Sequence, residues 1–201
     1  MDSLDTAHLV AIAAALGWAS GLRLYAVVFL TGLAGFMGWV ELPSGLRILQ
    51  SPVVLWASGA MLVVEFLADK IPLVDSMWDA VHTVIRIPAG AALAAGVFGG
   101  DHASWALVAA LAGGTLAATA HAAKSSTRAA VNTSPEPFSN IGVSLIEDGL
   151  VPFALWLAFT EPVWFFVLLG VSLVLMIVLI VTLVRFVSFV LRRLRGDVAS
   201  A

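Results

Sequence analysis

The chain has 201 residues, of which 61% are hydrophobic and 11% charged, with a net charge of −3 and a mean hydropathy of +1.02. A soluble domain carries about 45–50% apolar and about 25% charged residues, and a domain of this size leaves much of its surface exposed. The apolar excess must face lipid, which excludes a soluble enzyme, a nucleic-acid-binding domain and a disordered tail. Cysteine is absent, so no disulfide, thiolate metal site or cysteine nucleophile exists.

A membrane-spanning helix needs about 20 mostly apolar residues. Apolar stretches run from Leu9 to Val40, Pro52 to Ala68, Val84 to Phe98, Ala103 to Ala123, Ile141 to Phe159 and Val163 to Val190. The third spans fully only if it begins near Asp75. Turn-forming clusters separate the stretches: Glu41-Leu42-Pro43-Ser44-Gly45, Gly99-Gly100-Asp101-His102, Ser134-Pro135-Glu136-Pro137 and Glu161-Pro162. The pattern predicts an all-α integral membrane bundle of about six helices in one transmembrane domain, residues 1–201. Five or seven spans result if Gly17 to Gly21 splits the first. The acidic start, Asp2 and Asp5, does not read as a cleavable signal.

Lysine and arginine near span ends set orientation. The basic tail, residues 191–201 with Arg192, Arg193 and Arg195, places the C-terminus in the cytoplasm, on a cell's inner membrane. Counting back through six spans puts the N-terminus, Lys70, Lys124 and Arg128 on the same side and only Arg47 outside. Three spans plus three make the second half inverted, a recurring transporter plan. Ser20-Gly21-Leu22-Arg23 loosely echoes Ser125-Ser126-Thr127-Arg128.

Polar residues gather in two segments, 65–88 and 121–148. Residues three and four apart share a helical face, so Asp75, Asp79, His82 and Arg86 form one stripe, and Glu65 with Asp69 a second pair. In the other segment His121, Lys124 and Arg128 share a face, as do Asn140, Ser144 and Asp148, with Glu147 beside them. Ionised groups in the hydrocarbon core cost roughly 2.5–3.5 kcal/mol or more. They must therefore face the interior, pair, or line water, and the two segments are expected to meet across a polar cavity. Arg23, in mid-span, is expected to pair with an acid on another helix.

Two chemistries suit these residues. Asp75, Asp79 and His82 form D-x-x-x-D-x-x-H, a helical spacing compatible with a divalent metal, and the same groups could relay protons. Arg23, Arg86, His121, Lys124 and Arg128, with the hydroxyls of Ser125, Ser126 and Thr127, would suit a phosphate or halide. No H-E-x-x-H, G-x-S-x-G or P-loop pattern is present. The small-residue runs Gly90 to Gly96 and Ala109 to Ala120 read as close-packing faces. The tryptophans, from Trp18 to Trp164, read mostly as interfacial anchors.

The motifs Ala19-Ser20-Gly21-Leu22-Arg23, Glu65-Phe66-Leu67-Ala68-Asp69-Lys70-Ile71-Pro72, Asp75-Ser76-Met77-Trp78-Asp79 and Asn132-Thr133-Ser134-Pro135-Glu136-Pro137 resemble a family of small bacterial membrane proteins known only as a domain of unknown function. The likeness covers roughly residues 8 to 190 and implies a polytopic helical fold without an activity. Glu65 to Lys70 is also somewhat similar to the E-x-G-D-K signature of cation/proton exchangers in the LysE-type superfamily, which have six spans as two inverted halves. Here an extra residue separates the glutamate from Asp69-Lys70 and the glycine is missing; the second half carries Glu147-Asp148-Gly149 without a lysine.

The reading that unites these features is a small transporter or channel for an ion, a divalent or proton-coupled cation first. Glu65, Asp69, Asp75, Asp79, His82, Asn140, Ser144, Glu147 and Asp148 would form the ion path, and the basic residues would act as counter-charges. No cofactor is identified, a divalent cation being the candidate as substrate or ligand; no nucleic acid is implied, and the partners are the bilayer, a small ion or solute and further copies in a homo-oligomer. The alternatives are an intramembrane enzyme or lipid-handling protein gripping a phosphate-bearing headgroup, an anion channel, and a scaffold whose charges are structural.

Overall fold

A computed structural model describes residues 5–99, 102–132 and 138–198, with side chains through residue 189. The described residues form α1 (Thr6–Phe36), a short 3-10 helix (Ser44–Gln50), α2 (Pro52–Ala68), α3 (Val74–Phe98), α4 (Ala103–Val131), α5 (Phe138–Thr160) and α6 (Pro162–Val198), with no strand among them. Five of these helices are long and apolar enough to cross a bilayer, and the 3-10 helix with α2, bent by 69°, makes a sixth. The protein is a helical membrane bundle. The expected breaks at Ser134 to Pro137 and at Gly100-Asp101 lie outside the described residues, as do the side chains of the basic tail.

Local chemistry sets the helix ends. Asp5 caps α1 by accepting from the His8 N–H at 2.8 Å, and Ser51 caps α2, with Pro52 at the first helical position where no donor is needed. Pro72 keeps α2 from running into α3, and Leu73 takes a positive φ of 72° before α3 begins. That start lies close to Asp75, so the polar stripe belongs to α3 from its first turn. Gly99, at φ 62°, ends the same helix in a conformation that only glycine adopts freely.

The first apolar stretch forms two half-helices. Arg23 has φ −145° and ψ 78°, values no helix accommodates, and α1 breaks there. Along the first half, Ala13 lies near Ala109, Gly17 against Gly113 and Gly21 against Ala117, so this half runs parallel to α4. Along the second half, Gly32 sits on Leu49, Gly35 on Leu42, and Phe29 on Gly59 of α2. The 3-10 helix that receives Gly32 also places Gly45 on Gly96, near the end of α3, and Phe98 lies beside Val10 and Ala14. Both ends of α1 therefore stand at one end of the bundle, and Arg23 turns the chain at the other. The break falls two residues past Gly21, close to where the glycines suggested a split.

Burial ranks the helices around this core. In the most apolar 18-residue window of α1, 78% of residues are buried, against 6% for α6, so α1 is central and α6 peripheral. Close approach rests on the small residues: a Cβ on Gly17 would lie 2.5 Å from the Gly113 Cα, and one on Gly21 would lie 2.2 Å from the Ala117 carbonyl oxygen. The Gly90 to Gly96 and Ala109 to Ala120 faces meet one another and α1 along this seam. Trp18 is fully buried here, unlike the exposed Trp39, Trp56, Trp105, Trp156 and Trp164; it is a core residue, not an anchor. The echo between Ser20 to Arg23 and Ser125 to Arg128 lies on two segments that run parallel, so it does not support an inverted relation.

Candidate functional site

The two polar segments meet where α1 turns. Arg23 stands at the break with no exposed surface, and Asp69 (3.2 Å), Asp148 (2.9 Å) and Glu147 (3.7 Å) surround its guanidinium. It also donates to the Ser144 hydroxyl at 2.9 Å and to the Ser144 carbonyl at 3.1 Å. The expected pairing of Arg23 with acids from other helices is thus met by α5 and by the α2–α3 junction.

Lys124, from α4, ties both chain breaks together. Its Nζ donates to the Leu22 carbonyl at 3.0 Å, next to the break in α1, and to Asp69 at 2.6 Å, at the end of α2. Glu147 and Asp79 lie at 3.4 and 3.5 Å. One turn on, Arg128 donates to the Asp69 carbonyl at 3.2 Å and to the Asn140 carbonyl at 2.9 Å, bonds the Asn140 side-chain oxygen, and meets Glu147 at 3.2 Å. Irregular backbone at membrane depth is tolerated only where protein groups satisfy it, and these two cations, with the Asn140 amide, do so.

Arg86, from α3, holds a second centre. It bridges Glu65 of α2 at 2.8 Å and Asp79 of its own helix at 2.7 Å. His121 accepts from Arg86 through Nδ1 at 3.4 Å, which leaves Nε2–H to donate to Thr83 at 2.7 Å; the Thr83 hydroxyl then donates to the Asp79 carbonyl at 3.0 Å. A hydrogen-bonded circuit thus joins α3 and α4 around one ion pair.

The stripe Asp75, Asp79, His82 and Arg86 is buried as a unit, yet it does not form the metal site that its spacing suggested. Asp75 accepts from Asn132 at 2.8 Å and from the Ser76 N–H at 2.6 Å, and Asp79 belongs to Arg86. His82 donates through Nδ1 to the Trp78 carbonyl at 2.8 Å, which leaves Nε2 to accept from Tyr25 at 3.1 Å. A shared face is not a shared point, since successive turns of α3 meet different helices. Among the described residues no three histidine or carboxylate side chains cluster to hold a metal. The hydroxyls proposed for an anion also diverge: Thr127 bonds back to Ala123, Ser125 faces His121, and Ser126 lines a groove beside α6. Among the described residues, the four buried cations Arg23, Arg86, Lys124 and Arg128 all have carboxylate or carbonyl partners, although the Nε of Arg23, Arg86 and Arg128 donates no hydrogen bond.

The network closes within a single chain. Among the described residues, six carboxylates (Glu65, Asp69, Asp75, Asp79, Glu147 and Asp148) face five cations (Arg23, Lys70, Arg86, Lys124 and Arg128). Of the described polar atoms, Glu65 Oε2, Asp69 Oδ1 and Asp79 Oδ2 accept no hydrogen bond, although buried polar atoms almost always do. Asp75 Oδ2 lies 4.0 Å from the Arg128 Nε.

Tyr25, Lys70, Trp78, Thr83 and Asn132 also belong to the site without having been singled out for it. The chain has one tyrosine, two residues beyond a mid-span arginine, and that was the available signal for Tyr25. Lys70 had been counted for orientation alone, although it meets Asp148 at 2.9 Å.

No curated protein and no solved structure matches this chain. A family model, described as a domain of unknown function (DUF4126), matches residues 10–182. That span includes both polar segments and every helix of the network, and the chain belongs to that family.

Proposed function

We propose that the protein is a small ion transporter that moves a cation with proton coupling through the buried network. The excess of one carboxylate over the cations carries this reading. An unpaired charge away from water costs several kcal/mol, and a proton or a monovalent cation brings the set to neutrality. The carboxylate oxygens on Glu65, Asp69 and Asp79 that lack donors are where either would be held. Asn140, Ser144, Glu147 and Asp148 line the opposite wall, and the basic residues keep the unloaded site closed. The break at Arg23 fits this role, because discontinuous helices build substrate sites in many transporters.

The same reading sets the orientation. The basic tail favours the cytoplasm, and Lys70, Lys124 and Arg128 gather at one end of the bundle with Arg47 at the other. In this reading the charge network lies toward the cytoplasmic face of the inner membrane. Because α1 doubles back, the N-terminus then lies opposite the tail.

Flux in liposomes tests the proposal. With a pH-sensitive dye inside, an imposed cation gradient should drive proton movement in the wild type. Asp79→Asn and Asp148→Asn should each abolish it while the protein stays folded in detergent. Unchanged flux in both folded variants would sink the proposal.

A further inference from the structure

The charge network reaches the lipid-facing surface in a groove beside α1. A groove of about 350 Å³ between α2 and α5, alongside the second half of α1, has apolar walls from Leu62, Val63 and Phe66 and ends on Arg23, Glu147 and Asp148. A second groove of about 380 Å³, between α1 and α5, continues from it, and the two share Leu30 and Pro152 as walls. From Arg23 to Ala34 this path follows eleven residues of helix, about 16 Å at 1.5 Å per residue. Half the hydrocarbon thickness of a bilayer is about 15 Å, so the groove matches one acyl chain of one leaflet.

We propose that this groove binds a phospholipid with a zwitterionic, primary-amine headgroup, its acyl chain along α1 and its head at Lys70 and Asp148. The polar end determines the headgroup. Arg23 is fully enclosed and Glu147 nearly so, whereas the Lys70 and Asp148 side chains keep 20% and 21% of their surface open. Asp148 lines the groove, and Lys70 stands beside it, paired with it at 2.9 Å. A headgroup carrying a phosphate and an ammonium replaces the Lys70–Asp148 pair with two and leaves the charge of the site unchanged, while Asp148 keeps Arg23 at 2.9 Å and Lys70 keeps Ser144 at 3.2 Å. Pro152 has no N–H to offer the Asp148 carbonyl four residues earlier, so an acceptor stands next to the carboxylate, and a primary ammonium can donate to both. A quaternary ammonium has no such donor. An anionic headgroup meets Asp148 and Glu147 beside its one cation. This site does not depend on the transport reading, since its observations are the groove and its two open charges.

Thermal unfolding of the purified full-length protein in mixed micelles tests it, with dioleoyl phosphatidylethanolamine, phosphatidylcholine and phosphatidylglycerol as probes. A ligand bound only by the folded state raises Tm in a saturable way. The expected result is a rise with phosphatidylethanolamine that exceeds the rise with either other lipid. Leu30→Trp blocks the junction of the two grooves, and Val63→Trp fills the first groove from its apolar wall at a position that is 58% exposed, so it is tolerated even if Leu30→Trp does not fold. A folded Val63→Trp variant should lose the selective rise. Equal shifts with all three lipids, a larger shift with phosphatidylglycerol, or an undiminished selective rise in folded Val63→Trp would each overturn the proposal.

Discussion

The two ends of this bundle are held together by opposite means. At the end carrying the chain termini of α1, Gly17, Gly113 and Ala94 bring three helices into backbone contact, with no charge in the seam. At the other end, α1, α3, α4 and α5 are joined by charged side chains that are almost entirely buried. In lipid, close packing of small residues suffices to associate helices. Buried ion pairs are a poor source of stability, because desolvation offsets most of the attraction. The seam therefore holds helices by packing alone, whereas the charged end satisfies the chain breaks and is where the proposed transport would act.

The largest effect should come from breaking the charged end unevenly. Arg86→Ala leaves Glu65 and Asp79 buried without their partner, and a loss of about 3–5 kcal/mol is expected, read as collapse of the folded yield in detergent. The sharper comparison is the combined variant Glu65→Leu, Asp79→Leu, Arg86→Met. Replacing a whole buried ion set with apolar residues is often neutral or stabilising by about 1–4 kcal/mol. This variant should therefore unfold at or above the wild-type temperature yet carry no proton flux. A folded, stable triple variant that still transports would return the charges to a structural role.

The glycine seam should yield less, and through a different mechanism. A Cβ on Gly17 would stand 2.5 Å from the Gly113 Cα and 2.8 Å from the Gly113 carbonyl oxygen. Backbone cannot move aside as a long side chain can, so Gly17→Val forces α1 and α4 apart. Overpacking costs typically about 1–3 kcal/mol, measured as a fall in Tm. If Arg86→Ala proved milder than Gly17→Val, the ranking of the two ends would be reversed.

The same contrast explains what the sequence made legible. Apolar runs and their proline and glycine breaks located each helix, because lipid imposes hydropathy over about 20 residues and leaves few alternatives. Helical spacing also identified the buried faces, since Asp75, Asp79, His82 and Arg86 all point inward. Spacing on one helix does not say what stands opposite. It grouped Asp75, Asp79 and His82 around one metal, although the three meet Asn132, Arg86 and Tyr25. The reversal at Arg23 was hidden because both half-helices are apolar and continuous in sequence. Its signs were a charged residue in mid-span and two glycines shortly before it, and neither reveals the angle of a turn. Pairings across 121 residues, as between Arg23 and Ser144, exist only once that turn is made.

The smallest effect should lie outside both the glycine seam and the charge network, at the N-terminal cap of α1. Asp5 accepts from the His8 backbone N–H and lies 2.8 Å from the His8 ring nitrogen. The backbone bond, more than the ring, holds its carboxyl below the usual carboxylate range. A carboxylate whose ionised form is favoured in the folded protein stabilises it above the ordinary carboxylate range, and this contribution disappears as pH falls through the depressed value. Asp5→Ala should therefore lower Tm slightly at neutral pH, by less than any change in the seam or the network. The gap between variant and wild type should close in acid, once Asp5 is protonated in both folded and unfolded chains. A gap that persisted unchanged at low pH would mean that the cap acts through helix geometry rather than through its charge.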